Sequence, residues 1–237
     1  MSALARRDIL PPLTPWGDFL PYFGAHFKQG EHITLIGRTG SGKTTLGLGL
    51  LPFRRYVLVL ATKPKDPLIG KLKREGYHVT RKWPVSAEIN PRVVYWPKIE
   101  KTSDVLTQRD GLYDAISSVY EDGGWCVYAD EIRYLAETLK LERLLQLLWL
   151  QGRSLGVSLI GGTQRPAWIP LEAFSQATHL FLWRENDARN LKRLGEIGGI
   201  DSKALQAMVQ RLDFHRHHCL YVNTVNGTIL RTVAERR

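Results

Sequence analysis

The sequence has few residues of the kinds that build disulfide-rich scaffolds or membrane spans. Among 237 residues there are two cysteines, Cys126 and Cys219, and they lie in separate apolar stretches without the spacing of a metal site. We interpret them as buried, reduced thiols of a cytosolic protein. No run approaches the roughly 18 apolar residues of a membrane helix, and the N-terminus lacks the apolar core of a secretory signal. We therefore expect a cytoplasmic protein, in the host cytoplasm or associated with the virion if its origin is viral.

Acidic residues are scarce relative to basic ones. The chain has 33 Lys and Arg residues against 23 Asp and Glu, which gives a formal net charge of +10. This excess favours a polyanionic partner, with nucleic acid the first candidate and an acidic membrane surface the second. A soluble protein that is merely basic would have the same composition.

Apolar strand patterns alternate with helical patterns along most of the chain. Strands are predicted at "HITLIG", "RRYVLVLATK", "PRVVYWP" and "GGWCVYADE", within "QGRSLGVSLIGGTQRP" between Arg153 and Gln164, and at "THLFLWR". Helices are predicted from about Lys43, over residues 105–120 and 136–151, and from about Asp187. The tail "CLYVNTVNGTILRTV" has Asn-Gly between two alternating segments, which predicts a C-terminal β-hairpin. The alternation indicates an α/β fold with a mostly parallel sheet covered on both faces. We expect residues 1–30 to be an arm or lead-in and residues 31–237 to be one domain.

The stretch "GRTGSGKT" matches the phosphate-loop pattern G-x-x-x-x-G-K-[ST] between a predicted strand and a predicted helix. Its glycines let the backbone wrap around phosphates at a helix N-terminus. Lys43 can reach the β- and γ-phosphates, and the Thr44 hydroxyl can bind Mg²⁺. A Gly-rich structural turn is the alternative, and the flanking elements argue against it. The predicted ATP-binding residues are Gly37, Arg38, Thr39, Gly40, Ser41, Gly42, Lys43, Thr44 and Thr45.

A second motif, "WCVYADE", places two carboxylates at the end of an apolar strand. Asp130 can hold Mg²⁺ through water, and Glu131 can polarise an attacking water, so Glu131 favours hydrolysis over transfer to a small substrate. Alone, an apolar run that ends in two acids often marks only where a strand meets solvent. With a phosphate loop some 90 residues upstream, the motif indicates an Mg²⁺-dependent ATPase.

Together with "GRSLGVSLIGGTQRP", these motifs resemble the FtsK–HerA superfamily of hexameric DNA-pumping ATPases over about residues 31–185. The resemblance implies a P-loop fold of the RecA/ASCE type and a homo-oligomeric ring, a hexamer, that moves double-stranded DNA. It implies that Arg153 is an arginine finger for the neighbouring subunit, that Gln164 senses the γ-phosphate, and that the catalytic set is Lys43, Glu131, Arg153 and Gln164. The absence of a recognisable extra domain favours a genome-packaging or mobile-element motor, which a capsid portal or a membrane protein would dock. The strand ending "ATKPKD" departs from the Asp-Pro-Lys-like ending of many members, which leaves Lys63 and Asp66 without an assigned role.

Several alternatives stay open on the residues alone. Arg153 could form a salt bridge within the chain, and Arg165 could be surface charge. "HRHHC" is best interpreted as a basic turn before a strand, and the basic and aromatic residues of segment 81–101 as a DNA-facing loop, with Trp96 in the core. A non-motor assembly protein gated by ATP is a second function, and a P-loop small-molecule kinase is a third, although no arginine-rich lid is evident.

Overall fold

In the computed structural model, which describes residues 10–197 and 200–235 apart from the side chain of Trp168, a nine-stranded sheet forms the centre of the molecule. The strands are β1 (His32–Ile36), β2 (Val57–Leu60), β3 (His78–Thr80), β4 (Arg92–Tyr95), β5 (Cys126–Ala129), β6 (Ser158–Thr163), β7 (Ala177–Trp183), β8 (Cys219–Asn223) and β9 (Ile229–Thr232). Their order in the sheet is β3-β4-β2-β5-β6-β1-β7-β8-β9. All neighbours from β3 to β7 are parallel, and β8 and β9 form the antiparallel C-terminal hairpin. The predicted α/β class, parallel sheet and hairpin are confirmed.

The strand order brings the ends of four strands to one place. β6 lies between β1 and β5, and β2 flanks β5 on its other side. In this register Ile36 is opposite Thr163, and Ala129 is opposite both Gly161 and Leu60. The carboxyl ends of β1, β6, β5 and β2 therefore meet at one edge, the place where open parallel sheets bind ligands.

Helices cover the two faces of the sheet, and the strand side chains alternate between two cores. The helices are α1 (Trp16–His26), α2 (Lys43–Leu50), α3 (Leu68–Arg74), α4 (Asp104–Asp122), α5 (Glu142–Gln151), α6 (Glu172–Ser175), α7 (Ala188–Leu194) and α8 (Ser202–Gln210). Val57 and Val59 of β2 pack into one core with α1 and α2, whereas Leu58 and Leu60 pack into the other with α4 and α5. Because both faces are covered, the central strands are continuously apolar rather than alternating. Among the described residues no helix is long and apolar enough to cross a membrane.

The helix predicted over residues 136–151 is interrupted, so that prediction was wrong in its extent. A π-helical turn spans Tyr134–Thr138, and α5 begins only at Glu142. Lys140 between them has a positive φ of 57°, which is not helical. The periodicity suggested one helix because Leu135, Leu139, Leu141 and Leu145 are all buried in the same core, although two separate segments supply them.

The lead-in contains a helix that the sequence pattern did not predict. α1 includes Gly17, Pro21 and Gly24, which are poor helix formers, so its stability must come from packing. It buries Trp16, Phe19 and Phe23 against the sheet, and the Phe19 ring lies 5.3 Å from that of Tyr221 in β8. Before α1, the backbone N–H of Thr14 donates to the carbonyl oxygen of Arg231 at 2.7 Å, which joins the lead-in to the hairpin.

Candidate nucleotide-binding site

The phosphate loop joins β1 to α2 and has the backbone that its glycines permit. Gly40 and Gly42 have φ values of 78° and 103°, a region that strongly favours glycine. Gly42 is the residue before α2, so the helix N-terminus with its free N–H groups faces the loop. The loop lines a cavity of about 310 Å³ together with Lys63, Asp130, Glu131 and Gln164.

Lys43 is held inside the loop by carbonyl oxygens. It is buried, and its Nζ donates to the carbonyl oxygens of Gly37 at 2.5 Å and Arg38 at 3.1 Å. Burial lowers the pKa of Lys43, and the nearby carboxylates of Asp130 and Glu131 oppose that shift. An anionic phosphate would offer this ammonium stronger partners than two neutral carbonyl groups.

Thr44, in the first turn of α2, lies beside Asp130, which directly follows β5. The Thr44 hydroxyl donates to Asp130 Oδ1 at 2.7 Å, and the buried Tyr128 hydroxyl donates to the same oxygen at 3.0 Å. Hydroxyl and carboxylate oxygens are the ligands that Mg²⁺ prefers. The two residues therefore fit the predicted magnesium site.

Glu131 is linked to the loop through Gln164. The Gln164 amide donates from Nε2 to Glu131 Oε2 at 3.0 Å, and its Oε1 accepts from the Thr39 hydroxyl at 2.7 Å. Burial raises the pKa of Glu131, and the hydrogen bond from Gln164 partly offsets that rise. A carboxylate with a raised pKa beside a phosphate site is suited to accept a proton from water.

Lys63 lies in the same cavity, although the sequence left it without a role. It follows β2, and its Nζ is 3.5 Å from Asp130 Oδ2. The signal that could have located it is topological, since β2 is the neighbour of β5 in the sheet. Asp66, by contrast, accepts a hydrogen bond from the backbone N–H of Leu68 at 3.0 Å and so supports the start of α3.

Arg153 lies at the opposite edge of the sheet from the phosphate loop. It is exposed in a short 3₁₀ turn, Gly152–Leu155, before β6, whereas Gln164 follows β6. A six-residue strand spans about 20 Å, so the Arg153 side chain cannot reach its own chain's phosphate site. Among the described residues Arg153 has no ion-pair partner, which disfavours the alternative of an internal salt bridge.

A second, larger cavity of about 900 Å³ adjoins the site, and Thr39 and Gln164 line both. Arg38, Arg165 and Arg189 line it from the phosphate loop, the end of β6 and α7, and all three are exposed. The "HRHHC" segment forms a turn before β8, as predicted, but it also contacts the phosphate loop. The Trp183 indole donates to the His217 carbonyl oxygen at 3.2 Å, next to Gly42. No cluster of three or more potential metal-binding side chains occurs within the described ranges.

Several known proteins are similar to this chain in sequence or in fold. No model of a protein family matches the chain. The chain is 24% identical over 212 residues to the DNA packaging ATPase P9 of Enterobacteria phage PRD1, covering 85% of this chain and 86% of P9. Its fold is similar to that of the genome packaging NTPase B204 from Sulfolobus turreted icosahedral virus 2 in complex with AMPPCP, with a TM-score of 0.65, 15% identity and coverage of 87% and 98% of the two chains.

A third similar protein, VirB4 of Thermoanaerobacter pseudethanolicus, gives a TM-score of 0.65 at 10% identity, with coverage of 87% of this chain and 89% of VirB4. The fold is that of the P-loop proteins B204 and VirB4, and the likeness to P9, B204 and VirB4 supports the resemblance to the FtsK–HerA ATPase type.

Proposed function

We propose that this protein is an Mg²⁺-dependent ATPase that moves double-stranded DNA, in genome packaging or in transfer of a mobile element, and that it acts as a homo-oligomeric ring. One observation carries the proposal. A single cavity contains the phosphate loop, a Thr44–Asp130 pair suited to Mg²⁺, and a carboxylate, Glu131, linked to the loop through Gln164. Of the similar proteins, P9 is a DNA packaging ATPase and B204 is a genome packaging NTPase.

In the proposed reaction the phosphates lie in the loop from Gly37 to Thr45, where Lys43 leaves the Gly37 and Arg38 carbonyls to contact them. Thr44 and Asp130 would hold Mg²⁺, which supplies positive charge against the phosphate oxygens. Glu131 accepts a proton from the water that attacks the γ-phosphorus atom. Gln164 orients Glu131 through their hydrogen bond. Because Gln164 also contacts Thr39, a change in the conformation of the phosphate loop would change the orientation of Glu131.

Arg153 completes the site of a neighbouring subunit in this proposal. Because its own phosphate site lies across the sheet, it can stabilise the transition state only in another chain. The larger cavity opens beside Thr39 and Gln164, so a finger from a neighbour would enter there. An arginine finger of this kind contributes about 10³–10⁵ in rate in related phosphate chemistry.

The test of the motor is ATP turnover with and without duplex DNA, measured at low and at high salt. We expect DNA to stimulate turnover and salt to weaken DNA binding steeply, because phosphate contacts release counterions. A rate that duplex DNA does not change, together with no salt-sensitive DNA binding, would contradict the motor.

The Glu131→Gln variant separates hydrolysis from assembly. In a motor it should bind ATP but lose about 10²–10⁴ in turnover and stop moving DNA, because the amide cannot accept the proton. Normal function of this variant in particle assembly would instead favour a protein in which ATP binding alone gates oligomerisation. A phosphorylated small product in place of free phosphate would favour the kinase.

A further inference from the structure

Lys63 contacts the carboxylate that the proposed function assigns to Mg²⁺. Its ammonium is 3.5 Å from Asp130 Oδ2, while Asp130 Oδ1 accepts hydrogen bonds from the hydroxyls of Thr44 and Tyr128. The Lys63 side chain is 54% exposed and that of Asp130 is 24% exposed, so this ion pair contributes little to stability. Stability does not explain why Lys63 lies in the phosphate cavity, so its position there points to a role in ligand binding.

Two side-chain hydrogen bonds hold the backbone that carries Lys63. The Trp96 indole donates to the Lys63 carbonyl oxygen at 2.8 Å, and the Gln108 amide donates to the Thr62 carbonyl oxygen at 3.0 Å. Gln108 is fully buried in α4, and its Oε1 accepts from the Tyr134 hydroxyl at 2.7 Å, just beyond the Asp130–Glu131 strand end. These hydrogen bonds connect the loop after β2 to the segment after β5. The backbone of Lys63 is therefore held in place, while its long side chain extends beside Asp130.

The charges of the cavity suggest what the side chain does. Without ligand, the ammonium groups of Lys43 and Lys63 balance the carboxylates of Asp130 and Glu131. If Asp130 held Mg²⁺, the positive charge would disfavour the Lys63–Asp130 contact, and Lys63 would then have the phosphate chain as its anionic partner. Lys63 lies beside Asp130 in the cavity that also holds Glu131, the proposed base for attack at the γ-phosphorus atom, so the terminal phosphate is the one we assign to it.

We propose that Lys63 is a second phosphate-binding lysine, which neutralises Asp130 in the nucleotide-free protein and moves to the γ-phosphate when ATP binds with Mg²⁺. This inference rests on the proposed binding of ATP in the phosphate loop. It gives the site a way to distinguish a triphosphate from a diphosphate before hydrolysis, because a diphosphate offers no oxygen at that position.

The test compares the full-length protein with its Lys63→Ala and Lys65→Ala variants by calorimetric titration with Mg²⁺ present. The ligands are the β,γ-methylene analogue of ATP, which is not hydrolysed, and ADP. Lys65 is an exposed lysine two residues further along with no ion pair among the described residues, so it is a matched control. We expect Lys63→Ala to weaken the analogue about tenfold, the loss of one charge-assisted bond, and to change ADP by no more than about twofold. Lys65→Ala should match the unmodified protein.

The proposal would be overturned if Lys63→Ala weakened the binding of both nucleotides equally or weakened the binding of neither. It would also be overturned if Lys65→Ala had the same effect as Lys63→Ala. A second comparison is made in an Asp130→Asn background. If Lys63→Ala still weakens the analogue there, the lysine contacts phosphate directly, whereas disappearance of the effect would show that it acts only through Asp130 and would also refute the proposal. The Lys43→Ala variant tests the proposed function separately from the role of Lys63. If that variant bound the ATP analogue as tightly as the unmodified protein, the proposed function itself would be refuted.

Discussion

Replacing Gln164 by leucine tests whether the Thr39–Gln164–Glu131 network sets the protonation of Glu131, the carboxylate proposed as the catalytic base. The substitution keeps the size of the side chain but removes both the amide that donates to Glu131 at 3.0 Å and the oxygen that accepts from Thr39 at 2.7 Å. Burial already raises the pKa of Glu131, and the Gln164 hydrogen bond works against that rise. Without it the pKa of Glu131 should therefore rise further.

The size of the shift follows from the strength of one hydrogen bond. A bond to a charged group contributes about 1.5–3 kcal/mol when well shielded, and Gln164 is exposed, so we take about 1 kcal/mol here. One pKa unit corresponds to about 1.4 kcal/mol. Glu131 acts as a base only when ionised, so activity is present above its pKa and is lost as the pH falls through it. The acidic limb of the pH–rate profile should consequently move to higher pH by roughly half a unit to one unit.

The assay is the pH dependence of ATP turnover from about pH 4.5 to 8, fitted for the position of the acidic limb. Gln176→Leu is the control, since Gln176 is an exposed glutamine remote from the site at the start of β7. A Gln164→Leu profile that falls in rate at all pH values, with an acidic limb in the same position, would refute the role assigned to Gln164.

Three further predictions concern packing and assembly. A Cβ at Gly162 would overlap the Asp130 carbonyl oxygen, so Gly162→Ala should lower the free energy of unfolding by about 1–3 kcal/mol in urea titrations. Gly17→Ala is the control, because a Cβ there meets no atom within 4 Å and should not destabilise the protein. Equal stability of the two variants would contradict this prediction. Phe23 is fully buried, so Phe23→Ala should lower the free energy of unfolding by about 3–5 kcal/mol, and a loss under 1 kcal/mol would mean that α1 is not part of the core. Mixed rings of Lys43→Ala and Arg153→Ala subunits should regain ATPase activity that neither variant has alone, and no recovery in confirmed rings would exclude Arg153 as a finger acting between subunits.

Much of the fold could be predicted because its signals are local. The parallel sheet follows from short, continuously apolar strands between helices, and the hairpin follows from Asn226-Gly227 between alternating segments. The interruption at Lys140 and the helix α1 could not be predicted. In both places tertiary packing overrides the local pattern, since buried leucines from two segments imitate one helical stripe and aromatic burial stabilises a helix that contains Pro21.

By itself, the sequence determined the phosphate loop and the Asp130–Glu131 strand end. Their chemistry depends on residues adjacent in the chain, where glycines permit the positive φ angles and an apolar strand ends in two acids. Only the tertiary structure decided which groups share the cavity. The register of β2 against β5 places Lys63 beside Asp130, and the insertion of β6 between β1 and β5 joins Gln164 to both Thr39 and Glu131. The same strand carries Arg153 to the far edge of the sheet, because a strand of that length separates its two ends by more than a side chain can span.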